Sequence, residues 1–127
     1  MVVEDGGLDV LRAESGIGLG PKDIQTAVFY DHFTPFVLGQ IEEFGFCDRG
    51  EAKDFIRDGA IELGGRLPIN THGGQLGEAY IHGMNGIAEG VRQVRGDSVN
   101  QVDNVENVLV TAGTGVPTSA LILSTDG

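Results

Sequence analysis

The apolar positions of this chain fall into a few short runs and one long helical stripe, and glycines mark most of the breaks between them. Ile24–Phe29 (I-Q-T-A-V-F) is rich in β-branched and aromatic residues and predicts a strand that ends at Tyr30-Asp31. Thr34-Pro35 then predicts a helix start, with Thr34 as N-cap and Pro35 at the first helical position. Phe36, Val37, Ile41 and Phe44 supply its apolar stripe, which Gly45 ends. A short helix is expected over Gly50–Ile56, and Gly64-Gly65 predicts a turn before Leu67–Asn70.

The clearest helix is expected from about Ile81 to Arg95, where Met84, Ile87, Val91 and Val94 recur on one apolar face. Gly83, Gly86 and Gly90 lie beside that face. Each glycine costs about 1 kcal/mol against alanine in a helix interior, so they predict close packing against another helix. Val105–Val110 and Ala120–Ser124 read as two closing strands joined by T-A-G-T-G-V-P-T-S. Upstream, a short helix over Leu8–Glu14 and a loop at 16–21 are expected. Strand and helix alternation ending in two strands predicts a layered α/β fold, with a mixed sheet packed by helices.

Composition narrows the classes. A chain of 127 residues, 40% hydrophobic and 21% charged, holds one modest globular core. The small apolar inventory relative to the expected strands suggests a domain incomplete without a partner half. No apolar run approaches the roughly 20 residues of a membrane helix, and no secretory leader opens the sequence, so a cytoplasmic protein without a membrane span is expected. The lone Cys47 precludes an intrachain disulfide and reads as a small buried hydrophobe. A net charge of −11, with eight Lys and Arg in all, argues against a nucleic-acid surface. Histidine and cysteine show no metal-ligand spacing, and no metal is expected. Glycine, at 21 residues, follows neither a collagen period nor a low-complexity pattern. The stretch G-T-G-V-P-T at 113–118 lacks the third glycine and the following helix of a nucleotide loop.

The candidate chemistry sits in three segments: Y-D-H-F-T-P at 30–35, N-T-H-G-G-Q-L-G-E-A-Y-I-H-G at 70–83, and T-A-G-T-G at 111–115. The second packs two of the three histidines, one of the two tyrosines and four glycines into one stretch. Proton-carrying side chains beside Cβ-free backbone point to a segment that bends round a substrate. The bland readings are that Tyr30 and Tyr80 are core residues with satisfied hydroxyls and that Asp31 caps the helix at Thr34-Pro35. For His72 the bland reading is a bond to nearby backbone, and for His82 an exposed position in a first helical turn.

The order and spacing of these segments, with G-F-C-D-R-G-E at 45–51 between them, resemble the C-terminal half of a thiolase. The likeness runs from about Leu11 to Leu123 and is greatest to the sterol-carrier or lipid-transfer-protein branch. In that family the loops read N-E-A-F or H-D-x-F, N-x-x-G-G…G-H-P-x-G, and C-x-G-G-G. Matching Asn70, Gly73, Gly74 and Gly83 puts Tyr80 where the family has its catalytic histidine. Matching Phe33 puts Tyr30 on the family's Asn or His, and Thr111 then stands in place of the acid/base cysteine, before Gly113 and Gly115. A threonine and a tyrosine are poor substitutes for the Cys/His pair of Claisen chemistry.

The resemblance therefore implies the branch of thiolase-like aldolases that cleave steroid side chains. These release propionyl-CoA and a ketosteroid from a hydroxylated acyl-CoA, and they work with a small zinc-ribbon/OB-fold partner. It implies Tyr30 and Tyr80 as the acid/base pair, with Asp31, His32, His72 and His82 in support and Gly73, Gly74, Gly113 and Gly115 as loop backbone. It implies no cofactor beyond the CoA of the substrate, a thiolase N-terminal half as partner, and a homodimer. A free tyrosine has a pKa of about 10, so a basic role needs help from His32, His72 or His82, and which tyrosine is the base stays open. Two other readings compete: a thiolase-type acyltransferase with structural tyrosines, and a non-catalytic chain that completes a fold or binds a lipid thioester.

Overall fold

The computed structural model describes residues 18–78, 81, 83–113 and 119–125. The helix expected over Leu8–Glu14 lies outside them. Three strands, β1 (Thr26–Val28), β2 (Asn107–Ala112) and β3 (Ser119–Ser124), form a sheet in the order β1-β2-β3. β1 and β2 run parallel with Ala27 opposite Leu109, whereas β2 and β3 are antiparallel with Leu109 opposite Ile122. The sheet is therefore mixed, as expected. On the free edge of β1, Ile69 makes a single parallel bridge to Ala27, so the Leu67–Asn70 run contributes one rung.

Of the helices α1 (Thr34–Glu43), α2 (Ala52–Phe55), α3 (Gly74–Gly77) and α4 (Met84–Arg95), α4 packs on one face of this sheet and α1 and α2 contribute to the core on the other. One face of the sheet carries the main core of Ile24, Ala27, Phe29, Ile41, Phe44, Phe55, Leu67 and Leu109. The Phe29 ring meets Phe44 and Phe46 at centroid distances of 6.2 and 6.0 Å. The opposite face carries Val28, Val108 and Val110, covered by Ile87, Val94, Val105 and Leu123. This inward alternation along β1 and β2 buries both faces, as a parallel pair requires.

Three expectations change. The N-cap of α1 is Phe33, extended at φ −144° and ψ 137°, whose carbonyl accepts the Phe36 N–H at 3.0 Å; Thr34 is already helical and Pro35 is second. The helix expected over Gly50–Ile56 contracts to the single turn of α2, followed by a 3-10 turn at Arg57–Gly59. α4 begins at Met84 because Gly83, at φ +85°, takes a left-handed conformation that interrupts any helix running from Ile81.

The glycines of α4 face the sheet and not another helix. A Cβ at Gly90 would stand 2.7 Å from Val110 Cγ2 and 2.9 Å from Leu123 Cδ1, and one at Gly86 would stand 3.1 Å from Val28 Cγ1. Met84, placed on the apolar face by its spacing, is exposed, while Asn85, Glu89 and Gln93 are buried. Gly90→Val is expected to destabilise the fold by about 1–3 kcal/mol through overpacking. Gly39→Ala, in α1 with nothing within 4 Å of the new methyl, should be neutral or mildly stabilising. Urea unfolding midpoints compare the two; equal midpoints would contradict the packing.

Candidate active site

Three parallel extended segments end on one side of the sheet: β1 at Val28, the Ile69 rung at Asn70, and β2 at Ala112. Ligands in α/β sheets bind outside such carboxyl ends, and the candidate segments emerge there. The backbone of this edge is held by side chains. Asn70, at φ +49°, accepts the Phe29 N–H at its Oδ1 (2.8 Å) and donates through Nδ2 to the Phe29 carbonyl (3.1 Å). Its own N–H bonds the Ala27 carbonyl at 3.0 Å. Asn70 thus extends the pairing of β1 by one step and sets the point where the two segments diverge.

Tyr30 is 6% exposed and follows β1 directly. Its N–H donates to Thr111 Oγ1 at 2.9 Å, and its carbonyl accepts from Gln40 Nε2 at 2.9 Å. Thr111 in turn donates to Gln40 Oε1 at 2.5 Å. Thr111 was expected in a loop, but it lies within β2 because pairing with β3 continues through Ala112 opposite Ser119. Its hydroxyl is committed in both directions, so it fixes the Tyr30 backbone and offers no acid/base group.

Asp31 does not cap α1. Its Oδ1 accepts the Gln75 N–H at 3.0 Å, 44 residues along the chain, and so supplies a carboxylate to the first turn of α3. Gly74 lies directly beneath it: a Cβ there would stand 2.0 Å from Asp31 Oδ2. The Tyr30 segment and the Asn70 segment are therefore docked to each other through one carboxylate and one glycine. His32 packs among rings, with centroids 4.9 Å from Tyr30, 5.1 Å from Phe33 and 4.7 Å from Phe36. Phe33, Phe36, Leu76, Ile81 and Met84, all on or beside these segments, are 45–99% exposed. Gly73 (φ +97°), Gly74 (φ +74°) and Gly113 (φ +77°) adopt the left-handed backbone that only glycine takes readily. Tyr80, His82 and Gly115 lie outside the described residues.

His72 is not tied to nearby backbone. Neither of its ring nitrogens has a hydrogen-bond partner among the described residues, although both are shielded from solvent. It lies instead in the field of Glu89, a carboxylate that sequence reasoning missed. Glu89 Oε1 accepts Thr71 Oγ1 (2.5 Å), Ser98 Oγ (2.7 Å) and Gln93 Nε2 (3.0 Å), and Arg92 Nη1 stands 3.6 Å from Oε2. Burial pushes the Glu89 carboxyl up; the bonds from Thr71, Ser98 and Gln93 and the charge of His72 together outweigh it and hold the group below the usual carboxylate range. Asn85, Glu89 and Gln93 recur at four-residue spacing beside Gly86 and Gly90. That polar line next to small residues was the available signal.

A depressed folded pKa means that the stabilisation from ionised Glu89 is fully present above the ordinary glutamate value of about 4.3. It is lost as pH falls through the lower folded value. Glu89→Gln should therefore flatten the acid limb of a stability-against-pH curve while lowering stability at neutral pH. Parallel curves for wild type and variant would remove Glu89 from this role.

Burial, and then the charges of Glu42, Glu51 and Asp48, push the Cys47 thiol up against a smaller opposing effect of Arg66, so this cysteine is poorly suited to act as a thiolate. No helix among the described residues is long and apolar enough to cross a membrane.

A family model described as Thiolase C-terminal domain-like matches residues 11–125. Over 106 residues, 84% of the chain, the sequence is 82% identical to the 17-hydroxy-3-oxo-4-pregnene-20-carboxyl-CoA lyase of Mycobacterium tuberculosis (strain ATCC 25618 / H37Rv), of which it covers 28%. Over 116 residues, 91% of the chain, it is 76% identical to the steroid side-chain-cleaving aldolase of Thermomonospora curvata, of which it covers 29%. A solved structure titled Ltp2-ChsH2(DUF35) aldolase superposes with a TM-score of 0.88 at 71% identity, over 94% of this chain and 31% of that one. The chain thus spans less than a third of the length of these relatives.

Proposed function

The chain belongs to the thiolase C-terminal domain-like family, and on that premise we propose that it forms the C-terminal part of an aldolase that cleaves a β-hydroxyacyl-CoA by retro-aldol chemistry. The observation that carries this reading is Thr111. At the position that the loop pattern matches to the family's acid/base cysteine stands a threonine that is 4% exposed, its hydroxyl engaged by Gln40 and the Tyr30 backbone. Claisen thiolysis has no thiol to use there, whereas Tyr30 stands beside it with Asp31 and the Asn70 segment docked alongside. The steroid names of the mycobacterial and Thermomonospora relatives support a bulky polycyclic acyl group as substrate.

In the proposed reaction one tyrosinate, of Tyr30 or Tyr80, removes the proton of the β-hydroxyl. The oxygen electrons form a ketone as the Cα–Cβ bond breaks, and that bond's pair passes to the α-carbon as a thioester enolate. The phenol of the other tyrosine stabilises the enolate by hydrogen bonding and then protonates its carbon. The products are a ketosteroid and a shortened acyl-CoA, propionyl-CoA for a three-carbon fragment. CoA enters as part of the substrate.

The exposed apolar side chains at the loop edge support a covering partner. We assign that place to a thiolase-type N-terminal half, with a zinc-ribbon/OB-fold protein and a second copy of the enzyme completing the assembly. The test is the complete enzyme given a β-hydroxyacyl-CoA with a hydroxylated steroid side chain. Release of ketone and acyl-CoA without added CoA is the expected result. CoA-dependent thiolysis of a β-ketoacyl-CoA, with no cleavage of the hydroxy substrate, would replace the aldolase reading with that of an acyltransferase.

A further inference from the structure

The hydrogen bonds around the Tyr30 backbone form a closed ring with a fixed direction. β1 stops pairing with β2 at Val28, opposite Val110, so the peptide groups of Tyr30 lie beyond the ladder. Side chains take over there. The Tyr30 N–H donates to Thr111 Oγ1 at 2.9 Å, and the Thr111 hydroxyl gives its one hydrogen to Gln40 Oε1. Gln40 Nε2 then donates back to the Tyr30 carbonyl at 2.9 Å. The sequence of donors starts and ends on one residue, by way of β2 and α1. The second amide hydrogen of Gln40 goes to the Phe36 carbonyl at 3.0 Å. Turning the amide over would set its oxygen against two carbonyls, so only this orientation satisfies every member.

Gln40 is 8% exposed and, with Ile41, is one of two buried residues of α1. Methionine would fill the same space with no polar atoms to satisfy, so packing alone does not call for an amide there. What the amide supplies is a hold on both peptide groups that flank one Cα. Fixing both sets the Cα–Cβ direction of Tyr30 and hence the origin of its phenol. The bond to Phe36 extends the same hold. The Phe36 ring stacks on His32 at 4.7 Å and 11°, and His32 packs against the Tyr30 ring at 4.9 Å. We propose that Gln40 is a positioning residue for Tyr30, acting on its carbonyl directly and on its N–H by way of Thr111. The inference rests on Tyr30 taking part in the reaction. It gives neither Gln40 nor Thr111 a contact with substrate. A reacting group displaced by about 1 Å can cost on the order of 10²-fold in rate, so opening the ring is expected to lower kcat and not KM.

The experiment is steady-state kinetics of the complete enzyme on the β-hydroxyacyl-CoA, with a thermal midpoint for each variant. Gln40→Met keeps the bulk and removes the amide; Thr111→Val keeps the branched shape suited to β2 and removes the hydroxyl. Each should lower kcat roughly 10- to 10²-fold with KM unchanged. The double variant should lose less than the product of the two single losses, because both open one ring. Thr111→Ser keeps the hydroxyl and should retain most of the rate. In the Tyr30→Phe background, Gln40→Met should cost little more. Gln40→Asn keeps an amide one carbon too short to reach both Thr111 and Tyr30, and it carries the same expectation where Gln40→Met does not fold. Four results would each overturn the proposal: losses that multiply, a change confined to KM, equal losses in Thr111→Ser and Thr111→Val, or an undiminished loss in the Tyr30→Phe background. A wild-type rate in Tyr30→Phe would overturn the aldolase role of Tyr30 and this inference with it. A full-rate Gln40→Met beside an impaired Tyr30→Phe would overturn the inference alone.

Discussion

Tyr30→Phe should lower kcat for cleavage of a β-hydroxyacyl-CoA by roughly 10²- to 10⁴-fold, the usual worth of a positioned general acid or base, with the fold unchanged. The backbone N–H of Tyr30 donates to Thr111 Oγ1, and its carbonyl accepts from Gln40 Nε2. Phenylalanine keeps both. It also keeps a ring of the same size against His32, at a centroid distance of 4.9 Å in the wild type. What the variant removes is the phenolic O–H, and with it the capacity to carry a proton. Tyr80→Phe is expected to behave alike, because the reaction needs one phenolate and one phenol. The measurement is kcat in the complete enzyme together with the thermal midpoint of each variant. Wild-type rates in both would take the tyrosines out of the chemistry; a collapsed midpoint would mark Tyr30 as a core residue.

Much of this arrangement was legible in the chain, and the limits have physical causes. β1, α1, β2 and β3 were readable because their apolar patterns are local and Pro35, Gly45 and the glycines near 113 punctuate them. The matched thiolase pattern also brought Tyr30 and the Asn70 segment to one site before any packing was known. Contacts between distant residues were harder. Asp31 looked like a cap for the helix three residues later, yet its partner is Gln75, because the end of β1 and the Asn70 segment diverge from adjacent rungs. Thr111 read as loop because threonine and alanine before a glycine resemble a turn; pairing with β3 keeps it extended. Along α4 the apolar period pointed to Met84, Ile87, Val91 and Val94, but the glycines let the helix settle on Val110 and Leu123 and turned a polar line inward. Ile87 and Val94 of the expected stripe do pack on the sheet, so the small side chains shifted the buried face beside the apolar one without replacing it.

Gly74→Ala should disable the site with little change to the core. Its Cβ would fall 2.0 Å from Asp31 Oδ2 and 3.1 Å from Asp31 Cγ, so the carboxylate must leave. The Gln75 N–H then loses its acceptor, at a cost of about 1–3 kcal/mol if it stays buried. Alanine also pays about 1–2 kcal/mol for the left-handed backbone at φ +74°. The Tyr30 segment and the Asn70 segment meet at this carboxylate, so their spacing changes, and a loss of about 10²-fold in kcat is expected. Gly73→Ala separates the two effects. It meets the same kind of strain at φ +97°, with Gly77 Cα 3.3 Å and Gly77 C 3.9 Å from its methyl, and it does not touch Asp31. It should lower the unfolding midpoint by the strain alone, less than Gly74→Ala does, and leave most of the rate. In an Asp31→Ala background the collision is absent, so Gly74→Ala should add strain but little further loss of kcat. A wild-type rate in Gly74→Ala, or equal rate losses at the two glycines, would mean that the Asp31 contact does not hold the catalytic segments in register.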